Sequence, residues 1–102
     1  MSYLSAKHLL EIIVLRLRTE PPQDEEEWQA QTAVVQAVFE EMSERRVNQP
    51  KEDAPQNVHQ PVAKKLNRAM PHLQSMLTAM QNRDRTTALA HGETTLQRFR
   101  ER

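Results

Sequence analysis

Basic side chains cluster in two short segments near the carboxyl end of the chain. Guanidinium and ammonium groups bind phosphates and carboxylates, so this cluster is a candidate binding site. Lysines near the amino terminus of a predicted helix are also electrostatically unfavourable, which indicates either a functional role or surface residues that the fold tolerates. The basic patch consists of Lys64, Lys65, Arg68, Arg98, Arg100 and Arg102.

The amino-terminal part of the chain carries the opposite charge. Residues 1–60 hold 6 Lys and Arg against 11 Asp and Glu, a difference of −5, and residues 61–102 hold 8 against 3, a difference of +5. The strongest acidic feature is the run at residues 24–27, which we call the acidic quartet. Segregated charges attract each other within one molecule or attract partners of opposite sign. Both arrangements are open, because the quartet meets the basic patch only if the helix that begins at the quartet runs parallel to the helix that carries Lys64 and Lys65.

None of the residue spacings that are typical of catalysis or metal binding occurs in the sequence. The absence of cysteine excludes thiolate chemistry and Cys-based zinc sites. The four histidines, His8, His59, His72 and His91, form no i,i+4 pair and no H-E-x-x-H motif. A single glycine, Gly92, excludes a Gly-rich phosphate loop and a G-x-S-x-G elbow. We therefore expect no enzymatic activity, no metal and no cofactor.

The scarcity of glycine also predicts an all-α fold, because tight β-hairpins need residues with positive φ. Helix 1 is predicted over residues 5–18, with an apolar arc so wide that the helix either lies at the centre of the core or faces a second chain. Arg16 falls on this arc, and we expect it to extend past the helix end or to pair with a carboxylate. Residues 12–18 also fit a strand, and residues 14–19 bear a faint similarity to the strand of ribbon-helix-helix dimers.

Helix 2 is predicted to begin near Asp24, after the helix-breaking Pro21 and Pro22. Asp24 and Glu27 have the spacing of a capping box, and an apolar stripe then continues for about 23 residues in all. Residues 47–61 contain three prolines and few apolar side chains, so we interpret them as a polar linker. The domain organisation predicted is a helix pair over 1–46, this linker, and a helical hairpin over 62–102.

Two heptad seams, whose residues recur at alternating steps of four and three, predict the hairpin. The seam positions are 62, 66, 69, 73, 76 and 80 in the first helix and 89, 92, 96 and 99 in the second. Helix 3 begins near Pro61 and ends near Gln81, and helix 4 follows a short turn in which Asp84 is the N-cap. Pro71 either kinks helix 3, which the unbroken seam favours, or ends a shorter helix near residue 69. Gly92 either permits a close crossing with helix 3 or ends a short helix.

The apolar faces of helices 1 and 3 are the candidate surfaces for a protein partner. Methionine-rich helical faces adapt to varied partners, although ordinary core packing explains the same spacing. The breadth of the apolar arc on helix 1 predicts a homodimer. The candidate partner-binding residues are Leu9, Ile13, Leu17, Met70, Leu73, Met76, Leu77 and Met80.

These patterns predict a small three- or four-helix bundle that acts as an adaptor, chaperone or regulator. The predicted hairpin resembles many small helical adaptors, including secretion and flagellar chaperones, but shares no specific motif with them. The alternative function is a nucleic-acid-associated regulator that uses the basic patch. A pI of about 6.9 and the lack of aromatic residues among the basic ones argue against this alternative. No segment has the length of a membrane span, so we expect a cytoplasmic protein without membrane contact.

Overall fold

The protein is an all-α bundle, as the sequence predicts. The structure, a computed structural model, describes residues 3–47 and 60–100, and the side chains of 4–44 and 66–100. Within these ranges four helices follow one another: α1 (Tyr3–Thr19), α2 (Glu25–Val47), α3 (Gln60–Gln81) and α4 (Arg85–Arg100). Most of the predicted linker, residues 48–59, lies outside the described ranges.

Residues 12–18 belong to α1, so the strand interpretation and the similarity to ribbon-helix-helix proteins are wrong. The large buried side chains of this helix are Leu10, Ile13, Val14 and Leu17, at steps of three, one and three. This spacing places all four on one helical face, whereas a strand would divide them between two faces. Packing of that face therefore outweighs the strand preference of the β-branched residues.

The start of α2 is fixed by a capping box that matches the sequence pattern in part. Asp24 Oδ1 accepts a hydrogen bond from the backbone N–H of Glu27 at 2.8 Å. The Glu27 carboxylate accepts a hydrogen bond from the backbone N–H of Gln23 at 2.8 Å, whereas in a complete capping box it would accept from the N–H of Asp24. Pro22 is buried beneath this corner, which anchors the short connection from α1.

Helix α3 continues through Pro71 to Gln81, so the alternative in which it ends near residue 69 is wrong. The Pro71 ring is exposed, and the neighbouring seam residues Ala69 and Leu73 are fully buried. Burial of the seam on both sides of the proline compensates for the backbone hydrogen bond that proline cannot make.

The turn between α3 and α4 is a Schellman motif. The N–H of Asp84 bonds to the carbonyl of Ala79 at 2.9 Å, and that of Arg83 bonds to Met80 at 3.1 Å. Arg83 has a φ of 58°, the left-handed conformation that glycine usually supplies at this position. Asp84 then caps α4 as predicted, since its Oδ1 accepts from the N–H of Thr87 at 3.1 Å.

Helix α2 runs antiparallel to α3. Arg83, just beyond the end of α3, donates from Nε to Oε1 of Glu25, the first residue of α2, at 2.9 Å. Two turns further along α2, Thr32 Oγ1 lies 3.5 Å from the carbonyl oxygen of Met80, which is about one turn before Arg83. The acidic quartet is therefore at the end of the bundle opposite the start of α3. The arrangement in which the quartet meets the basic patch is wrong.

Helix α1 closes the bundle by packing antiparallel against α4. Arg85, at the start of α4, donates from Nε to the carbonyl of Leu17 at 2.7 Å and from Nη2 to that of Arg18 at 3.1 Å. At the other end of α4, Arg100 Nη2 lies 3.5 Å from Oε2 of Glu11 in the middle of α1. Each helix packs against its neighbours in the chain and α1 packs against α4, which makes an up-down-up-down four-helix bundle.

One core runs along the axis of the bundle and takes side chains from all four helices. Its largest fully buried side chains include Leu10 from α1, Met42 from α2, Leu73 from α3 and Phe99 from α4. Thr95 is buried among them, and its hydroxyl bonds to the carbonyl of His91 on its own helix.

Gly92 allows α4 to approach both α1 and α3. A Cβ built at this position would lie 2.7 Å from Cγ2 of Val14 and 3.1 Å from Cε of Met76. Helix α4 continues past Gly92 to Arg100, so the alternative in which this glycine ends a helix is wrong. The close crossing is present, and its tightest contact is with α1 rather than with α3.

Candidate interaction surfaces

The outer face of α1 carries large apolar side chains although it is not part of the core. Its three large side chains are exposed, with 71% of Leu4, 39% of Ile12 and 54% of Leu15 accessible. With 100° of rotation about the helix axis per residue, these three positions fall within an arc of about 80°. They lie opposite the buried face that contains Leu10 and Leu17. We call them the outer apolar face.

Opposite charges border this face on the side of α4. Glu11 pairs with Arg100 at 3.5 Å, and Arg18 pairs with Glu93. Each of these side chains keeps at least a third of its surface exposed. Arg16 is exposed at the other border, so it does not enter the core. The outer apolar face is therefore flanked by charged groups that stay within reach of a partner.

A groove of about 380 Å³ separates α1 from α4 beside the outer apolar face. Val14, Leu15 and Leu96 are the apolar residues of its lining, and the two ion pairs complete its walls together with one amide. The groove is shallow and continuous with the surface. Its lining residues are Glu11, Val14, Leu15, Arg18, Glu93, Leu96, Gln97 and Arg100.

The structure places the predicted partner-binding residues in the core rather than on the surface. Leu9 alone is partly buried, at the edge of the core, and the others are at least 96% buried. In the closed bundle they pack against one another, so a partner would have to open the bundle to contact them. Those buried residues are Ile13, Leu17, Met70, Leu73, Met76, Leu77 and Met80.

The apolar residues that the surface does offer were not singled out by sequence reasoning. The wide apolar arc of helix 1 indicated only that the helix either lies at the centre of the core or faces a second chain. The arc has two apolar sides, however, and the sequence does not say which side packs against α2 and α4. The exposed face could be identified only after the other three helices were placed.

The two segments of the basic patch lie at the same end of the bundle, because α3 and α4 are antiparallel. Arg68, Arg98 and Arg100 are within the described side chains, whereas the side chains of Lys64 and Lys65, and all of Arg102, lie outside them. Arg100 pairs with Glu11 of α1. The carboxyl end of α2 is also at this end of the bundle.

The acidic quartet stabilises the opposite end of the bundle. Arg83 binds the carboxylate of Glu25 with two nitrogens, and this hydrogen bonding lowers the pKa of Glu25 from its ordinary value of 4.5. Hydrogen bonds from the hydroxyl and then the backbone N–H of Thr87 lower the pKa of Asp84. These carboxylates hold helix ends and turns together, so the structure gives them a clear stabilising role.

Two histidines that are far apart in the sequence meet on the α3–α4 pair. The rings of His72 and His91 are stacked, with centroids 5.9 Å apart and planes inclined by 28°. Both side chains are half-buried. Among the described residues no third His, Asp or Glu joins them in a group that could hold a metal. The pairing follows from the register of the hairpin, which histidine spacing in the sequence does not reveal.

Comparisons of the chain with protein families, with curated proteins and with solved structures find no match. In the described parts of the chain no helix is long and apolar enough to cross a membrane. The class of protein is therefore defined by its own geometry, which is a four-helix bundle with an exposed apolar helical face.

Proposed function

We propose that the protein is a non-enzymatic protein–protein interaction module, acting as an adaptor, chaperone or regulator, that binds a helix on the outer apolar face of α1. The observation that carries this proposal is the exposure of Leu4, Ile12 and Leu15 on the side of α1 that faces away from the core. Amphipathic helices bind to other proteins by burying such a stripe of spaced apolar anchors.

The charged borders of the face support a role in partner choice. Glu11 and Arg18 stand two helical turns apart, with opposite signs, along one edge of the apolar stripe. Exposed charges of this kind contribute mainly to association rate and to the rejection of wrong partners, while buried apolar area contributes affinity. The face thus combines an apolar centre with a charged rim, which is the usual anatomy of a protein interface.

Site-specific photo-cross-linking in the native cell tests this proposal. A cross-linker at Leu15 or Ile12 is expected to capture a defined protein, and one at Ala33, which is exposed on the outer side of α2, is expected not to. With the captured protein purified, Leu15→Asp should weaken its binding at least about tenfold. Ala33→Asp introduces the same side chain on another exposed helical surface and should leave binding unchanged.

The proposed function of the outer apolar face fails if capture is equal at Leu15 and Ala33, or if Leu15→Asp binds the captured protein as tightly as the wild type. Circular dichroism of both variants controls for folding. Because Leu15 and Ala33 are both exposed, neither substitution buries a charge in the core.

A second candidate function is nucleic-acid binding by the basic patch. The observation in its favour is that α2 carries the acidic quartet away from the patch, so the quartet does not neutralise Arg68. Labelled duplex and single-stranded DNA should bind at low salt, and the affinity should fall steeply as salt rises. Absence of binding at low salt would exclude this function.

A further inference from the structure

We infer that the helix bound by the outer apolar face is the same face of α1 in a second copy, packed antiparallel about a two-fold axis. The inference rests on the proposed function, because it uses the same three apolar side chains. It adds the identity of the partner and the direction of its helix. In a two-fold interface residue i of one copy meets residue j of the other, and j meets i, so every contact occurs twice.

The apolar contacts determine the register of the two helices. Ile12 and Leu15 are three residues apart on the exposed face. When the helices are antiparallel, Ile12 of each copy can lie level with Leu15 of the other, and the two-fold axis then passes between positions 13 and 14. Two such contacts form the centre of the interface. Leu4 then lies level with position 23, just past the end of the partner's α1, so it contributes at the edge.

The border charges are complementary in this register. A two-fold axis perpendicular to the helices brings the α4 side of one α1 against the α4 side of the other. Glu11 of one copy then lies within about 3 Å, measured along the axis, of the level of Arg18 in the other copy. Both Glu11–Arg18 contacts join opposite signs. In a parallel pair the α4 side of one α1 would instead face the Arg16 side of the other, and Glu11 would not meet Arg18.

Two further observations favour a second copy as the partner. The intramolecular partners of these charges leave them accessible, with 38% of the Glu11 side chain and 53% of the Arg18 side chain exposed. The chain also has a formal net charge of zero, so two copies do not repel each other as whole molecules. The face is therefore self-complementary in both its apolar and its charged residues.

Sedimentation equilibrium of the full chain over a range of concentrations tests the presence and the location of the dimer. The wild type is expected to show a reversible monomer–dimer equilibrium. Leu15→Asp should raise the dissociation constant at least about tenfold, and the matched variant Ala33→Asp should leave it unchanged. Circular dichroism is recorded for each variant to show that the bundle remains folded.

Charge exchange tests the antiparallel direction. Glu11→Arg places two arginines in each border contact, and Arg18→Glu places two glutamates there. Each variant alone should therefore dimerise about five- to thirtyfold more weakly than the wild type. An equimolar mixture of the two should form heterodimers of near wild-type affinity, because every border contact then joins Arg to Glu. The double variant with both exchanges should also recover dimerisation.

The inference fails if the wild type is monomeric throughout, if Leu15→Asp dimerises like the wild type, or if mixing the two charge variants restores nothing. A monomeric wild type whose Leu15 cross-linker captures a different protein would overturn the second copy as partner and leave the proposed function standing. Loss of the dimer in Leu15→Asp with no rescue by charge exchange would retain the face and overturn the antiparallel register.

Discussion

Arg83 joins the end of α3 to the start of α2 through its side chain, and its backbone conformation is unusual. Its guanidinium donates to the carbonyls of Met80 and Gln81 at 3.0 and 3.2 Å, so it satisfies acceptors at the end of α3. The same group binds Glu25 at the start of α2. Its φ of 58° lies where glycine is favoured. An arginine is therefore held in a left-handed conformation by the contacts of its own side chain.

Replacement of Arg83 by alanine and by glycine should separate these two effects. Both variants lose the side-chain contacts, but only alanine retains the cost of a Cβ in the left-handed region. We expect Arg83→Ala to be less stable than Arg83→Gly by about 1 kcal/mol in urea denaturation. Equal stability of the two variants would show that the backbone at this position has left the conformation described.

The Glu25–Arg83 pair predicts a dependence of stability on acid pH. Because hydrogen bonding by Arg83 lowers the folded-state pKa of Glu25 below 4.5, the pair contributes stability above that pH and loses it as pH falls further. Glu25→Gln should therefore flatten the decline in thermal stability below pH 4.5. Glu26→Gln, an exposed carboxylate in the same helical turn, is the control. If Glu25→Gln follows the wild-type profile, the pair contributes nothing in solution.

At the scale of the helices, Gly92 determines how closely α1 can pack on α4. Alanine at this position would gain about 1 kcal/mol of helix propensity. Its Cβ would also collide with Cγ2 of Val14 at 2.7 Å. Valine is stiff at χ1 and Val14 is buried, so the contact cannot be relieved by a simple rotation. The methionine on the other side is flexible and can give way more easily.

We therefore expect Gly92→Ala to destabilise the wild type by about 1–2 kcal/mol, measured by urea denaturation. In a Val14→Ala background the collision is removed, and the same substitution should be neutral or stabilising by up to about 1 kcal/mol. The reversal of sign between the two backgrounds is the diagnostic result. An equal loss in both would mean that Val14 is not the residue that limits the approach of α4.

The helices themselves could be predicted closely because their ends carry local signals. Asp24 and Asp84 act as N-caps where the sequence predicts them, and each bonds to an N–H three residues later. The direction of α2 could not be predicted, since a polar linker of that length permits α2 to run either parallel or antiparallel to α3. The contact of Glu25 with Arg83 decides it, and no pattern near either residue indicates that contact.

The surface of the whole molecule was harder to predict than its core. The residues expected to bind a partner have the correct helical spacing, but that spacing is shared by residues that pack inward. Met76 and Leu73 are fully buried for this reason, whereas Ile12 and Leu15 remain outside. On α1, which is apolar on two sides, the choice of the inward side depends on contacts with α2 and α4. It is a property of the assembled bundle and not of one helix.

The charge segregation of the chain becomes a separation along the bundle axis. The acidic quartet lies at one end with Arg83, and the start of α3 lies at the other with the end of α4. An antiparallel two-fold pair of copies places these unlike ends side by side, while a parallel pair places like ends together. The long-range field of the molecule therefore favours the same direction as the local Glu11–Arg18 contacts.

Because the chain contains no cysteine, single cysteines introduced on α1 can report the relative direction of the two helices in the dimer. Two exposed positions suit this purpose, His8 and Thr19. With Ile12 level with Leu15 of the other copy, His8 is level with Thr19 of that copy, and two His8 residues are about 16 Å apart along the axis. A short bismaleimide should therefore link His8→Cys to Thr19→Cys in a mixture of the two variants more efficiently than either variant to itself. Efficient linking of His8→Cys alone, with little in the mixture, would indicate parallel helices.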